Sequence, residues 1–161
     1  MKKFILFLLV CVVLTIAIFL FFFGYSDCMT IRSYDTGNVL FKHEIKPEMV
    51  VIFRYIHSVS LTPIEEYLDV NAQGYTLRKV TYIDQGGAGM PEFAFGDQQF
   101  TIEDNTFVIK GFDRFFESIT INAHEEYKDE IVVDNHNLDL SMLLGKNGRV
   151  VLGVEKRFFK R

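Results

Sequence analysis

A histidine and three hydroxyl residues interrupt a strand-like pattern in residues 55–62. His57 and Ser58 are adjacent, and Ser60 and Thr62 follow at alternate positions. An imidazole and a hydroxyl together can act as base and nucleophile, or they can bind a polar ligand. Because adjacent residues on a strand face opposite sides, His57 and Ser58 cannot easily pair with each other. A hydrolase would therefore need a distant partner for His57.

Two glutamates restart the strand pattern after this interruption. Glu65 and Glu66 are adjacent, so one carboxylate of the pair is expected to point inward. An inward carboxylate needs a cation or hydrogen-bond donors, since an unpaired buried charge is costly. Arg54, Arg78 or Arg114 could supply the cation. The pair either holds the corner as an ion pair or lines a polar pocket together with the histidine before it.

A glycine-rich loop occupies residues 84–91. Gly86, Gly87 and Gly89 permit positive φ angles and close backbone approach, and successive N–H groups can form an anion-binding nest. The loop is not a nucleotide-binding P-loop, because no Gly-Lys-Ser/Thr follows it. A tight structural crossing explains the three glycines as well.

Arg114 lies among aromatic residues, with Phe112 before it and Phe115 and Phe116 after it. Such a group could clamp an organic anion, or it could pack at a corner of the core. The four histidines His43, His57, His124 and His136 have no recognisable ligand spacing. We therefore predict no metal site and no cofactor.

Short strands must position these side chains. Residues 50–56 would place apolar side chains on both faces of a strand, so they are predicted to form a central strand of a sheet. Similar runs follow, with turn signals at residues 35–38, 71–74, 104–105 and 145–148. Beyond the apolar run, only residues 137–144 suggest a helix. They fit a single helical turn before Gly145 as well as they fit a strand. The pattern predicts an all-β protein, an antiparallel sandwich or small barrel, preceded by one transmembrane helix.

The first 24 residues differ from the rest. After Lys2 and Lys3, residues 4–23 form an apolar run of roughly 30 Å as a helix, which matches a bilayer core. We predict a membrane anchor in residues 1–24 with a cytoplasmic N-terminus, and an extracytoplasmic β domain in residues 25–161. Export with cleavage of a signal peptide near Gly24 is the alternative, although signal cores are usually shorter.

The composition excludes several classes. The chain has 161 residues, 49% of them hydrophobic, and all 21 acidic residues follow the apolar run. The net acidic domain disfavours nucleic-acid binding, since it has no evident basic face. Cys11 lies inside the apolar run and Cys28 just beyond it, so the domain must fold without an internal disulfide.

Three blocks resemble a known family. Residues 55–59, 62–66 and 87–91, with their spacing, resemble the uncharacterised bacterial family catalogued as domain of unknown function 1850 (DUF1850). The resemblance implies small exported or membrane-anchored proteins, often encoded beside TAXI-type TRAP solute transporters. It brings no established catalytic residues.

We therefore expect a non-enzymatic accessory of a TRAP-type transporter that binds the permease, the solute-binding protein or a polar ligand. The alternatives are an envelope hydrolase that uses His57 with a distant serine or acid, and a structural cell-envelope module. The predicted ligand-binding or partner-binding residues are His57, Ser58, Thr62, Glu65, Glu66, Gly86, Gly87, Gly89 and Arg114.

Overall fold

A computed structural model of the chain describes residues 2–23, 25–83 and 96–158. The first element is helix α1 (Lys2–Phe23), whose described side chains are exposed. A window of this helix, Lys2–Phe19, is long and apolar enough to cross a membrane. The predicted apolar helix is confirmed, and it is suited to serve as a membrane anchor or a signal sequence.

The rest of the described chain is mainly β-structure. The strands are β1 (Tyr25–Ser33), β2 (Val39–Glu44), β3 (Val50–Ile56), β4 (Pro63–Asn71), β5 (Gly74–Ile83), β6 (Gln99–Glu103), β7 (Thr106–Phe116), β8 (Ile119–Ala123), β9 (Glu130–Val133), β10 (His136–Asp139) and β11 (Gly148–Phe158). A 3₁₀ turn (Glu125–Tyr127) follows β8, and a short helix α2 (Leu140–Leu144) follows β10.

The described strands form two antiparallel sheets. One has four strands in the order β2-β1-β11-β8, and the other has seven in the order β10-β9-β3-β4-β5-β7-β6. The all-β prediction is confirmed, and of the two architectures considered the chain adopts the sandwich. The strand predicted at the centre of a sheet is β3, which lies between β9 and β4.

The core lies between the two sheets. Met29 and Ile31 of β1 are fully buried, and they share one apolar cluster with Val51 of β3 and Ile64 of β4. Tyr75 of β5 is also fully buried. Its hydroxyl donates a hydrogen bond of 3.0 Å to the carbonyl oxygen of Gly153 in β11, which joins the two sheets.

The segment predicted as either helix or strand contains both. Asp139 ends β10 and caps α2, because its carboxylate accepts the Met142 N–H at 2.9 Å. Gly145 ends α2 with a φ of 69°, in the left-handed region that glycine adopts without strain. Of the two alternatives left open for residues 137–144, the part next to Gly145 is helical and the part before it belongs to a strand.

The topology defines two ends of the sandwich. β1 begins at Tyr25, which follows α1 almost directly and pairs with Phe158 of β11. At the other end of β11, Gly148 pairs with Ala123 of β8. We call this second end, where β8 stops, the far end of the sandwich, because it lies away from the point where the chain leaves α1.

Candidate functional site

The turn between β3 and β4, residues 57–62, is closed by hydrogen bonds. The His57 N–H donates to the Thr62 carbonyl, and the Leu61 N–H donates to the His57 carbonyl, each at 2.9 Å. The Ser60 hydroxyl lies 2.9 Å from Nδ1 of His57 and 3.2 Å from the Thr62 hydroxyl. The polar residues that interrupt the strand pattern thus fix the shape of this turn.

The turn also determines the tautomer of His57. The backbone N–H of Ser60 donates to Nδ1 over 3.3 Å, so Nδ1 must be an acceptor. A neutral imidazole with an unprotonated Nδ1 carries its proton on Nε2. Nε2 of His57 is consequently the ring nitrogen that can donate a hydrogen bond to a ligand.

Two apolar side chains are exposed at the tip of this turn. Val59 is 74% exposed and Leu61 is 72% exposed. Leu61 has a φ of 56°, a left-handed conformation that is unfavourable for a residue with a branched side chain. The closing hydrogen bonds of the turn must hold Leu61 in this conformation.

The two glutamates lie on opposite faces of β4, as expected of adjacent strand residues. Glu66 is on the inner face, where the Tyr55 hydroxyl donates to its Oε1 at 3.1 Å. Burial raises the pKa of the Glu66 carboxyl, and the Tyr55 hydrogen bond and the charge of Arg114 offset only part of this effect. The inward carboxylate therefore has a hydroxyl donor as well as the favourable charge of an arginine.

Glu65 lies on the outer face of the same sheet. Nε of Arg54 donates to its Oε1 at 2.8 Å, and the Tyr67 hydroxyl donates to its Oε2 at 2.6 Å. Burial acts to raise the pKa of Glu65, but these two hydrogen bonds and the charges of Arg54 and Lys79 together outweigh it, so the pKa lies below its ordinary value. Because Glu65 faces away from the sheet interior, it does not share a site with Glu66.

A cleft opens between the two sheets at the far end of the sandwich. It has a volume of about 300 Å³. β3 and the turn after it contribute one wall, and β8 and the 3₁₀ turn contribute the other. The lining residues are Tyr55, Ile56, His57, Ser58, Asn122, His124, Tyr127 and Asp129.

Asp129 shapes the second wall of the cleft. Its Oδ2 accepts the backbone N–H of His124 at 2.7 Å, which closes the loop around the 3₁₀ turn. Its carbonyl accepts the N–H of Leu140 at 2.9 Å, which ties this loop to α2. The rings of His124 and Tyr127 meet edge to face, with centroids 5.7 Å apart.

The carboxyl group of Asp129 is buried, since only 5% of the residue is exposed. Burial raises its pKa, and the charge of Asp139 adds to that effect, while the His124 N–H and the charge of His124 oppose it. Asp129 also contributes to raising the pKa of Tyr55, after burial and the effects of Glu66. The two acids, Asp129 and Glu66, thus act on the same phenol at the base of the cleft.

The structure brings together some of the predicted site residues. His57 and Ser58 line the cleft, Thr62 holds the turn beside it, and Glu66 lies behind it through Tyr55. Gly86, Gly87 and Gly89 lie outside the described residues, so their place in one polar patch stays a prediction.

Two further predicted residues lie elsewhere. Glu65 lines an outer-face hollow of about 350 Å³ with Tyr67 and Lys79. Arg114 is exposed on β7, where it pairs with Leu77 and its guanidinium lies 4.9 Å from the Phe116 ring. Neither residue lines the cleft.

The sequence interpretation missed half of the cleft. Asn122, Tyr127 and Asp129 line it, yet they lie more than 60 positions along the chain from His57. No spacing along the chain links the segment after β8 to the β3–β4 turn. The pairing of β9 with β3, which places Glu130 opposite Arg54, brings the two segments together.

The geometry of the polar groups bears on possible chemistry. His57 and Ser60 form the one serine–histidine hydrogen bond within the described part of the chain, but the same imidazole nitrogen also accepts the Ser60 N–H. Among the described residues, no three histidine, cysteine, aspartate or glutamate side chains are placed to hold a metal ion. The arrangement is therefore suited to bind a ligand by hydrogen bonds and charge.

Comparison with known proteins gives one match. The family described as a domain of unknown function, DUF1850, matches residues 51–140, which is more than half of the chain. The matched region extends from β3 through the start of α2 and contains every residue that lines the cleft. No curated protein and no solved structure matches the chain.

Proposed function

The chain belongs to the DUF1850 family, and on that basis we propose that it is a membrane-anchored, non-enzymatic recognition module of a solute transporter, which binds through the cleft between its sheets. The observation that carries this proposal is the placement of the cleft. His57, Tyr55 and Asp129 are fixed by internal hydrogen bonds or by burial at the end of the sandwich away from α1. A site at that end is open to a partner in the surrounding compartment.

The proposed topology follows from the charges at the N-terminus. Lys2 and Lys3 precede the apolar part of α1, and residues of this type are retained on the cytoplasmic side. The β-sandwich then lies outside the cytoplasm, on the far side of the membrane. The far end of the sandwich faces away from that membrane.

The proposed partner is a component of a TRAP-type transporter, either the permease or the solute-binding protein. The family resemblance implies this setting, because its members are often encoded beside TAXI-type TRAP systems. A single-domain module with one anchor and one polar cleft suits an accessory role, since it has the elements for localisation and recognition. The Nε2–H of His57 and the Ser58 hydroxyl are the donors that the first wall of the cleft offers.

Crosslinking and pull-down of the tagged, anchored protein from its native host, followed by mass spectrometry, tests this proposal. We expect a transporter permease or solute-binding protein to be recovered, and its recovery to be lost with His57→Asn. Asparagine can still accept the Ser60 N–H, so this variant keeps the turn and removes only the ring that faces the cleft. Gln73→Ala, at an exposed turn between β4 and β5, is the matched control.

Recovery of the same partner with His57→Asn would contradict the role of the cleft. Failure to recover any transporter component from abundant, folded protein would contradict the proposed partner.

A hydrolase is the second candidate, because His57 and Ser60 lie within hydrogen-bond distance. In that reaction Nδ1 of His57 would have to take the Ser60 proton, yet it already accepts the Ser60 N–H. A fluorophosphonate probe tests it, with Ser60→Ala as the control. Labelling of Ser60 would favour the hydrolase, and we expect none.

A further inference from the structure

The geometry points to a protonated alkylamine as the chemical group that the cleft binds, with Asp129 as its counter-charge. This inference rests on the proposed function in one respect, namely that the cleft is the recognition site. It adds the class of ligand, which the family does not supply.

Asp129 offers an oxygen that the fold does not use. Its Oδ2 accepts the His124 N–H, whereas no described residue donates a hydrogen bond to its Oδ1. Only 5% of the Asp129 residue is exposed, and it lines the cleft. A buried carboxylate with a free oxygen gains most from a ligand that brings both a positive charge and a hydrogen-bond donor.

A second acid reinforces the negative potential. Glu66 lies behind Tyr55, whose hydroxyl donates to it, and both Glu66 and Asp129 act on that phenol. Asp139, which ends β10 and caps α2, adds negative charge near Asp129. Three carboxylates therefore add negative charge near Tyr55 and Asp129. They lie on β4, on β10 and in the loop before β9.

The cationic groups near the cleft do not compensate for these acids. The cleft lining includes no lysine or arginine within the described chain. Arg114 acts on Glu66 from β7 but does not line the cleft. His57 and His124 line it as imidazoles and not as fixed cations. An anionic ligand would thus meet the acids without a fixed positive charge.

Aromatic rings complete a site suited to a cation. His124 and Tyr127, whose rings meet edge to face, line the cleft together with Asp129, and the Tyr55 ring lines it as well. An ammonium group is attracted to the face of an aromatic ring, more strongly when it is partly desolvated. The cleft volume of about 300 Å³ is at the lower limit of small-molecule sites, so it fits a short alkyl chain.

The same chemistry has two sources, a free small amine and the side chain of a lysine on a partner protein. Both end in a primary ammonium group on an alkyl chain. The n-butylammonium ion reproduces the end of either one and is the probe for both. n-Butanol and butyrate are its uncharged and anionic counterparts.

Binding is measured by titrating the full-length protein in uncharged detergent micelles with n-butylammonium chloride and following His57 and Tyr127 by NMR. We expect saturable shifts with n-butylammonium and none with butanol or butyrate. Asp129→Asn keeps an oxygen that accepts the His124 N–H and removes the charge, so it should weaken binding about tenfold while the fold persists. Glu126→Gln removes one charge from the exposed 3₁₀ turn and should leave the affinity unchanged.

The pH dependence has a defined sign. The ammonium group requires the ionised carboxylate, and the pKa of Asp129 is raised by burial, so the affinity should rise as the pH rises through that value. Asp129→Asn should abolish this rise. Equal affinity of the two variants Asp129→Asn and Glu126→Gln, or equal binding of butyrate, would overturn the inference.

Competition identifies the source. Excess n-butylammonium is added before crosslinking with a reagent that does not react with amines. If it prevents recovery of the partner, a lysine of that partner occupies the cleft; if the partner is still recovered while the probe binds, a free amine is the ligand. The two proposals fail separately. Loss of amine binding with a His57-dependent partner still recovered overturns the ligand class alone, and amine binding without any transporter component overturns the partner alone.

Discussion

The Tyr55 hydroxyl donates a hydrogen bond of 3.1 Å to Oε1 of Glu66, and this contact joins β3 to β4 on the inner face of the larger sheet. It links the cleft to the interior, because Tyr55 lines the cleft and Glu66 lies behind it. The contact satisfies an acid that would otherwise be an unpaired group on a largely apolar face.

Tyr55→Phe should destabilise the protein by about 1.5 kcal/mol. The substitution removes the only donor that the described residues provide to Glu66, and a hydrogen bond to a charged group contributes about 1.5–3 kcal/mol. Urea unfolding of the full chain in uncharged micelles measures the change. Tyr127→Phe is the matched control, since no described residue bonds to its hydroxyl; an equal loss in both variants would contradict the prediction.

Glu66 should make the stability depend on pH with a particular sign. Its pKa is raised in the folded protein, so the folded state binds its proton more tightly than the unfolded state does. Its contribution is complete below the ordinary pKa and is lost as the pH rises through the raised value. Glu66→Gln still accepts the Tyr55 hydroxyl, so the variant should gain stability relative to the natural chain across that window. Parallel stability curves for the two proteins would show that Glu66 is not the titrating group.

Leu61, the strained residue in the β3–β4 turn, should tolerate substitution by glycine better than its neighbour Val59 does. Leu61→Gly should cost about 1 kcal/mol less than Val59→Gly, because a residue with a φ of 56° loses about 1–2 kcal/mol of strain when its Cβ is removed. Both side chains are mostly exposed, so little buried area changes in either variant. Thermal unfolding of the two variants provides the comparison, and a larger loss for Leu61→Gly would argue that its side chain has a packing role.

Gly74 should be intolerant of any side chain. A Cβ there would clash with the carbonyl oxygen of Phe116 in the neighbouring strand, and the φ of 151° at Gly74 adds strain. We expect Gly74→Ala to destabilise the protein by about 3 kcal/mol, as overpacking against a rigid backbone does. Gly37→Ala, where a Cβ meets nothing within 4 Å, should cost only about 1 kcal/mol through its positive φ. Denaturant unfolding distinguishes the two; similar midpoints would mean that β7 moves to make room.

The apolar helix should be retained in the mature protein. Its hydrophobic run is longer than the usual 7–15 residues of a signal core, so an anchor is expected. Intact-mass measurement on protein purified from native membranes should give the full chain of 18.7 kDa. A mass that lacks the first two dozen residues would establish cleavage, and the sandwich would then be released from the membrane.

Local patterns in the sequence predicted much of the fold. The period of two in residues 50–56 predicted β3, and the apolar run predicted α1, because both depend on near neighbours along the chain. Gly145 marked the end of α2 for the same reason. The opposite faces of Glu65 and Glu66 also follow from strand geometry alone.

The tertiary structure decided which of these groups meet. Tyr55 and Asp129 act together only because β9 pairs with β3 and places Glu130 opposite Arg54, and no spacing along the chain encodes that pairing. The partners of the two glutamates depend on the pairing of β3 with β4, in which Arg54 bonds Glu65 on the outer face whereas Tyr55 bonds Glu66 on the inner face. The sequence alone thus determined the apolar helix, the strands and the polar turn at His57. The cleft arose from packing between distant segments, which is a property of the whole fold and not of any one stretch.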